Sequence, residues 1–135
     1  MSIRKMIGLH PDVNGHTNQP LSDAVHHLMY CAKMCLSCAD ACAAEKMDMR
    51  QCIRTCLDCA DVCQATGTLA SRRTGSNAQL LAGMLQLCED ACRICAQACM
   101  RHAQDMAHCR ICADACRECE TACRDASAAM GPTLQ

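Results

Sequence analysis

Between residues 20 and 130 the small uncharged positions of this chain recur in steps of three and four. The beat is set at Cys31, Cys35, Cys38 and Cys42, repeats at Cys52, Cys56, Cys59 and Cys63, and returns at Cys88, Cys92, Cys95 and Cys99. A last run, Cys109, Cys112, Cys116, Cys119 and Cys123, puts a three in front and otherwise keeps it. Such steps place side chains on one stripe of an α-helix. Lys33, Asp40, Arg54, Asp61, Glu89, Arg110, Arg117 and Glu118 fall off the stripe, as solvated helix faces do. Four helices are predicted, each with one face made of thiols.

The punctuation places their ends. Pro20 suits a first helical position, so the first long helix should run from about Pro20 or Leu21 to Glu45. Asp48 is the expected N-cap of the second, which frays past Gly67 near Arg72. Arg73-Thr74-Gly75-Ser76-Asn77 is the clearest loop, with Ser76 or Asn77 capping a third helix that reaches about Ala103. Asp105 should cap the fourth, which ends before Gly131-Pro132. Residues 1–19 read as an irregular leader, with room for one short turn near Ile3 to Ile7, and residues 131–135 as a tail. Helices of about 24 residues, each about 36 Å long, joined by short connections predict an all-α domain over 20–130. Its expected form is an antiparallel up-down-up-down four-helix bundle with cysteines lining the core.

Composition changes what that core is made of. Leu, Ile, Val and Phe together supply only 19 of the 135 residues, while cysteine alone supplies 17. So few core-formers would usually mean disorder, but disorder also needs a high net charge, and here it is −1. Cysteine packs as a small hydrophobe and can fill the deficit. The balanced charge and a single aromatic, Tyr30, argue against a nucleic-acid partner. No stretch approaches the roughly 20 apolar residues that span a bilayer, and no secretory h-region is apparent. A cytoplasmic location is expected.

In that compartment thiols stay reduced. Helical spacing also separates Cβ atoms by about 5–6 Å, whereas a disulfide needs about 3.8 Å. Metal ligation is therefore the better reading. Pairing by four gives Cys31–Cys35, Cys38–Cys42, Cys52–Cys56, Cys59–Cys63, Cys88–Cys92, Cys95–Cys99, Cys112–Cys116 and Cys119–Cys123, with Cys109 left over. Each pair could clasp an ion in near-linear fashion, and soft thiolates select Cu(I), zinc or Fe–S clusters. Zinc usually takes closed tetrahedral sites on turns, and clusters take wrapping loops. Charge points the same way. One Cu(I) per thiolate leaves a near-neutral interior, whereas one Zn²⁺ per four thiolates leaves a double negative charge at each site. A capacity of roughly 15–20 Cu(I) per chain is expected.

Followed past the cysteines, the stripe has two different ends. At one it reaches Met49, His102 and Met106, with His108 just off phase beside Cys109. Thioether and imidazole bind Cu(I) more weakly than thiolate and could pass it inward. At the other it reaches Leu28, His27, Leu69, Leu81, Leu85 and Met84, mostly an apolar plug.

The four thiol faces with a Met/His end resemble the bacterial copper storage proteins, in their cytosolic branch, over about residues 21–128. The resemblance implies a four-helix bundle holding many Cu(I) ions in its core and assembled as a homotetramer. It implies thiolate ligands at the matched cysteines, with Met49, His102, Met106 and His108 near the opening. A copper chaperone or a low-molecular-weight copper carrier would be the partner that loads it. Two other readings stay open. One is a zinc or mixed-metal thiol buffer. The weaker one is an Fe–S or dithiol redox protein, which would need a low-pKa CxxC at a helix N-terminus or loop cysteines around a cluster. No hydrolytic or transfer site is apparent, so an enzyme is not expected.

Overall fold

The computed structural model describes residues 2–72 and 76–130. The expected loop positions 73–75 and the tail at 131–135 lie outside them. Five helices follow one another, α1 (Ile3–Gly8), α2 (Gln19–Ala43), α3 (Arg50–Ser71), α4 (Ala78–Met100) and α5 (Ala107–Met130), with no strand among the described residues. Each of the four long helices packs on two others, α2 and α4 each meeting both α3 and α5. This is a four-helix bundle with thiol faces turned inward.

The buried stripe is continuous along each helix. On α2 it runs Leu21, Val25, Leu28, Cys31, Cys35, Cys38, Cys42, and on α4 Leu81, Leu85, Cys88, Cys92, Cys95, Cys99. On α3 it runs from Cys52 through Cys63 to Thr66 and Ala70, and on α5 from Cys109 through Cys123 to Ala126. The sulfur-free parts lie at the N-terminal ends of α2 and α4 and the C-terminal ends of α3 and α5. In an antiparallel bundle those four ends coincide, so the core divides lengthwise into a sulfur section and an apolar one. Leu28 and Leu85 are fully buried there, and Leu69 packs against the cluster. Thr66 shares that buried end, its hydroxyl donating to Val62 O at 2.7 Å.

Small residues beside the cysteines, among them Ala24, Ala32, Ala60, Ala96 and Ala113, are 0–1% exposed and let the helices approach closely. At Gly67 a Cβ would lie 3.3 Å from Leu28 Cβ, so α3 comes as near to α2 as a side-chain-free position allows.

Of the three expected helix caps, Asn77 keeps its position while Asp48 and Asp105 do not. Met49, not Asp48, is the N-cap of α3. Asp48 instead accepts from Arg50 N at 3.1 Å and pairs with its guanidinium at 2.8 Å. Asn77 caps α4 without a side-chain bond to it, because its amide is turned back to donate to Leu69 O and Arg72 O at the end of α3. Asp105 lies within the α4–α5 turn, and Met106 O receives Cys109 N and Arg110 N as α5 begins.

The leader is more ordered than its breakers imply. Ser2 Oγ accepts from Lys5 N to start α1, and Asn14 and Gly15 turn the chain with φ of 49° and 81°. Ile7 and Val13 are buried in the same core cluster as the bundle. Asn18 then joins the leader to both neighbours, accepting from Leu21 N at 3.2 Å and donating to Ala129 O at 3.1 Å. Three apolar side chains, Ile3, Ile7 and Val13, and two caps, Ser2 and Asn18, thus tie the leader to the bundle.

Candidate metal centre

All seventeen cysteines are free and none is more than 3% exposed. Their sulfurs form a net rather than separate pairs. Within helices, Cys31–Cys35, Cys38–Cys42, Cys59–Cys63 and Cys88–Cys92 stand 3.9–4.0 Å apart. The contacts between helices include the shortest, with Cys35–Cys116, Cys56–Cys99 and Cys63–Cys88 each at 3.7 Å. The four within-helix pairs, out of the eight two-sulfur clasps read from spacing, are therefore parts of larger groups. Quartets such as Cys31/Cys59/Cys63/Cys92 and Cys35/Cys95/Cys112/Cys116 hold their sulfurs within 4.8 Å of one another. A helix stripe is one sulfur wide, so facing stripes in a narrow bundle meet across the axis as closely as along it.

The protons in this net are shared. Burial pushes Cys42 up to about 12, and charge on Cys52 or Cys109 would add to it. Burial likewise raises Cys109. Deeper in, thiol donors stabilise particular thiolates. Cys112, followed by Cys116, Cys35 and Cys56, holds Cys95 well below the usual thiol range. Cys59 is lowered to about 7, with Cys116 the main donor. Cys35 goes the other way, raised first by Cys112. A first thiolate is solvated by neighbouring S–H groups, and its donors then hold their own protons more tightly.

At the end formed by the α2–α3 and α4–α5 connections, Met49 is 3% and Met106 8% exposed, both within the core cluster. His108 reaches into the net, its Nδ1 3.5 Å from Cys38 Sγ and 3.6 Å from Cys109 Sγ. Cys109, unpaired in the spacing scheme, also meets Cys42 at 4.0 Å. His102 sits half-buried in the α4–α5 turn, where its carbonyl receives Asp105 N and Met106 N, and no hydrogen bond joins its ring to a described thiol. Glu45 was not foreseen. Its Oε2 lies 2.8 Å from His108 Nε2. It follows the last turn of α2, outside any period, and its partner is 63 residues away, so no sequence signal marks it.

This thiol-lined bundle can be set beside known proteins. A sequence profile described as copper storage protein matches residues 17–128. The chain belongs to the copper storage protein family. A copper storage protein, Ccsp, from Streptomyces lividans, solved loaded with 10 copper equivalents, is 40% identical with a TM-score of 0.89. The similarity covers 94% of this chain and 98% of that one. A cytosolic copper storage protein from the same organism, solved with five coppers, is 42% identical with a TM-score of 0.80, over 87% and 97% of the two chains. A Ccsp variant with one histidine replaced by alanine is 43% identical with a TM-score of 0.82, over 85% and 98%. Among curated proteins no sequence matches the chain.

Proposed function

We propose that this protein stores Cu(I), sequestering many ions on the thiolates inside its bundle and so limiting free copper. The observation that carries this reading is the buried sulfur lining: all seventeen cysteines are buried, and fifteen of them stand 3.7–4.0 Å from another sulfur, with contacts that join all four long helices. Soft thiolates favour Cu(I), and a monovalent ion neutralises a thiolate interior one for one. The copper-loaded S. lividans relatives support it. The role is storage rather than catalysis.

All seventeen cysteines serve as ligands in this reading, and copper enters beside Met49, His102, Met106 and His108. Two thioethers buried at that end and an imidazole touching two thiols offer a graded path from weaker to stronger ligands. The apolar section around Leu28 and Leu85 closes the opposite end. The cytosol is the proposed location, as for the S. lividans relative, with a chaperone or small carrier delivering copper. No helix among the described residues is long and apolar enough to cross a membrane. Assembly into a homotetramer is supported by the outer face of α4, where Leu80, Leu87 and Ile94 stand seven residues apart and about half exposed. Such a seam suits helix-to-helix contact between copies.

Anaerobic titration with Cu(I), read by native mass spectrometry, tests the whole reading. Saturation at roughly 15–20 ions per chain is expected, and saturation near four would overturn it.

A further inference from the structure

One group of donors in the core differs from the rest. Cys38, Cys42, Cys109 and His108 form a mixed sulfur–nitrogen quartet whose four ligand atoms lie within 4.8 Å of one another, at the end where the other quartets give way to solvent. A tetrahedral zinc ion, with Zn–S about 2.3 Å and Zn–N about 2.0–2.1 Å, needs S···S edges of about 3.8 Å and S···N edges of about 3.6 Å. The edges here are 3.9 Å for Cys38–Cys42 and 4.0 Å for Cys42–Cys109. The two nitrogen edges are 3.5 Å from Cys38 and 3.6 Å from Cys109. Four of the six edges are thus within about 0.2 Å of those of a zinc tetrahedron, and the other two, Cys38–Cys109 and Cys42–His108, lie within 4.8 Å, so donors from α2 and α5 need only a small adjustment to enclose the ion.

The imidazole is also set for ligation. Glu45 Oε2 lies 2.8 Å from Nε2, placed to accept from it, and the tautomer with Nε2–H turns the Nδ1 lone pair toward the sulfurs. A carboxylate on the far nitrogen of a ligating histidine orients the ring and raises its basicity. Charge separates this quartet from the all-cysteine ones. Zn²⁺ on three thiolates and a neutral imidazole leaves a single negative charge, beside side chains that are 28% (His108) and 34% (Glu45) exposed. Zn²⁺ on four thiolates would leave a double negative charge in the fully buried interior, where uncompensated charge is costly.

We propose that the copper-free protein binds one Zn²⁺ at Cys38, Cys42, Cys109 and His108, with Glu45 as a positioning residue. The ion closes the open end of the sulfur net while the store is empty. Cu(I), the softer ion, is expected to displace it on loading.

The test uses Zn²⁺ alone on the reduced, copper-free full chain, so its outcome is independent of copper storage. Anaerobic titration against a chromophoric chelator should give one tightly held Zn²⁺ per chain. Co²⁺ in its place should show the intense visible bands of a tetrahedral thiolate site. His108→Ala should weaken zinc at least tenfold and alter those bands. Glu45→Ala should weaken it about tenfold, within the range such outer partners carry. Glu45→Gln, whose amide oxygen can still accept from Nε2, should recover most of that loss. Far-UV circular dichroism checks each variant, and the Glu45 pair, altered at a part-exposed position outside the core, decides the matter should His108→Ala fail to fold. Absence of stoichiometric zinc overturns the proposal. So does binding of several zinc ions unaffected by His108→Ala, or equal loss in both Glu45 variants.

Discussion

Filling the core with Cu(I) should drive protons out of it. Burial keeps the mouth thiols protonated at neutral pH, since Cys42 is pushed up to about 12 and Cys109 is also raised. Cys59, lowered to about 7, is partly ionised at that pH, and thiols such as Cys95, held lower by their neighbours, are already thiolates. Six thiols, Cys31, Cys52, Cys59, Cys88, Cys95 and Cys112, are lowered by donation from neighbouring thiols and the other eleven are raised, so complete loading at pH 7 should release about 11 protons per chain. The course of release reports how the ions are shared. Isolated two-thiolate clasps would release all of these protons over the first eight ions and none afterwards. Quartets shared among ions, the arrangement the cross-helix contacts favour, spread the release over the whole titration, at less than one proton per ion. The assay is anaerobic stopped-flow or stepwise addition of Cu(I) in weak buffer with a pH indicator. The sign of the pH effect follows. Protons compete with copper below a thiol's pKa, so affinity rises with pH, and at Cys42 the rise continues until about pH 12. A total release below about half the expected number would refute buried thiols as the ligands.

Two further outcomes probe the ends of the bundle. Leu85, fully buried in the apolar section, should cost about 3–5 kcal/mol when changed to alanine; urea denaturation of the copper-free protein measures this, and a loss below about 1 kcal/mol would show that the section is not a packed plug. Replacing His102 and Met106 together by alanine should slow Cu(I) uptake while leaving final capacity nearly unchanged, and an unaltered uptake rate would move the entrance elsewhere.

The bundle was legible because its signal is local. A step of three and four, kept from Cys31 to Cys42 or from Cys109 to Cys123, is helical in any context, and the same phase marks which face is buried. Leu28, Leu81 and Leu85 could be assigned to one end by extending that phase. Position beyond a helix end was less legible. Asp48 and Asp105 look like caps, yet Asp48 is engaged by Arg50 and Met106 stands at the start of α5. Ile3 and Ile7, four residues apart, mark the short turn that α1 forms, but Val13 lies outside that period and nothing marks its packing on the core.

The sequence by itself determined four thiol-faced helices, an interior of thiol and alanine in place of branched hydrophobes, and hence the class of metal. Periodicity is a property of one helix, and it is complete before any helix meets another. Tertiary structure decided which sulfurs share a neighbourhood. Cys35 meets Cys116 and Cys63 meets Cys88 because connection lengths and small flanking side chains set the register between helices. The same register brings His108 to Cys38, 70 residues away, and Glu45 to His108. A stripe of like residues leaves its partners undefined, and only packing selects them.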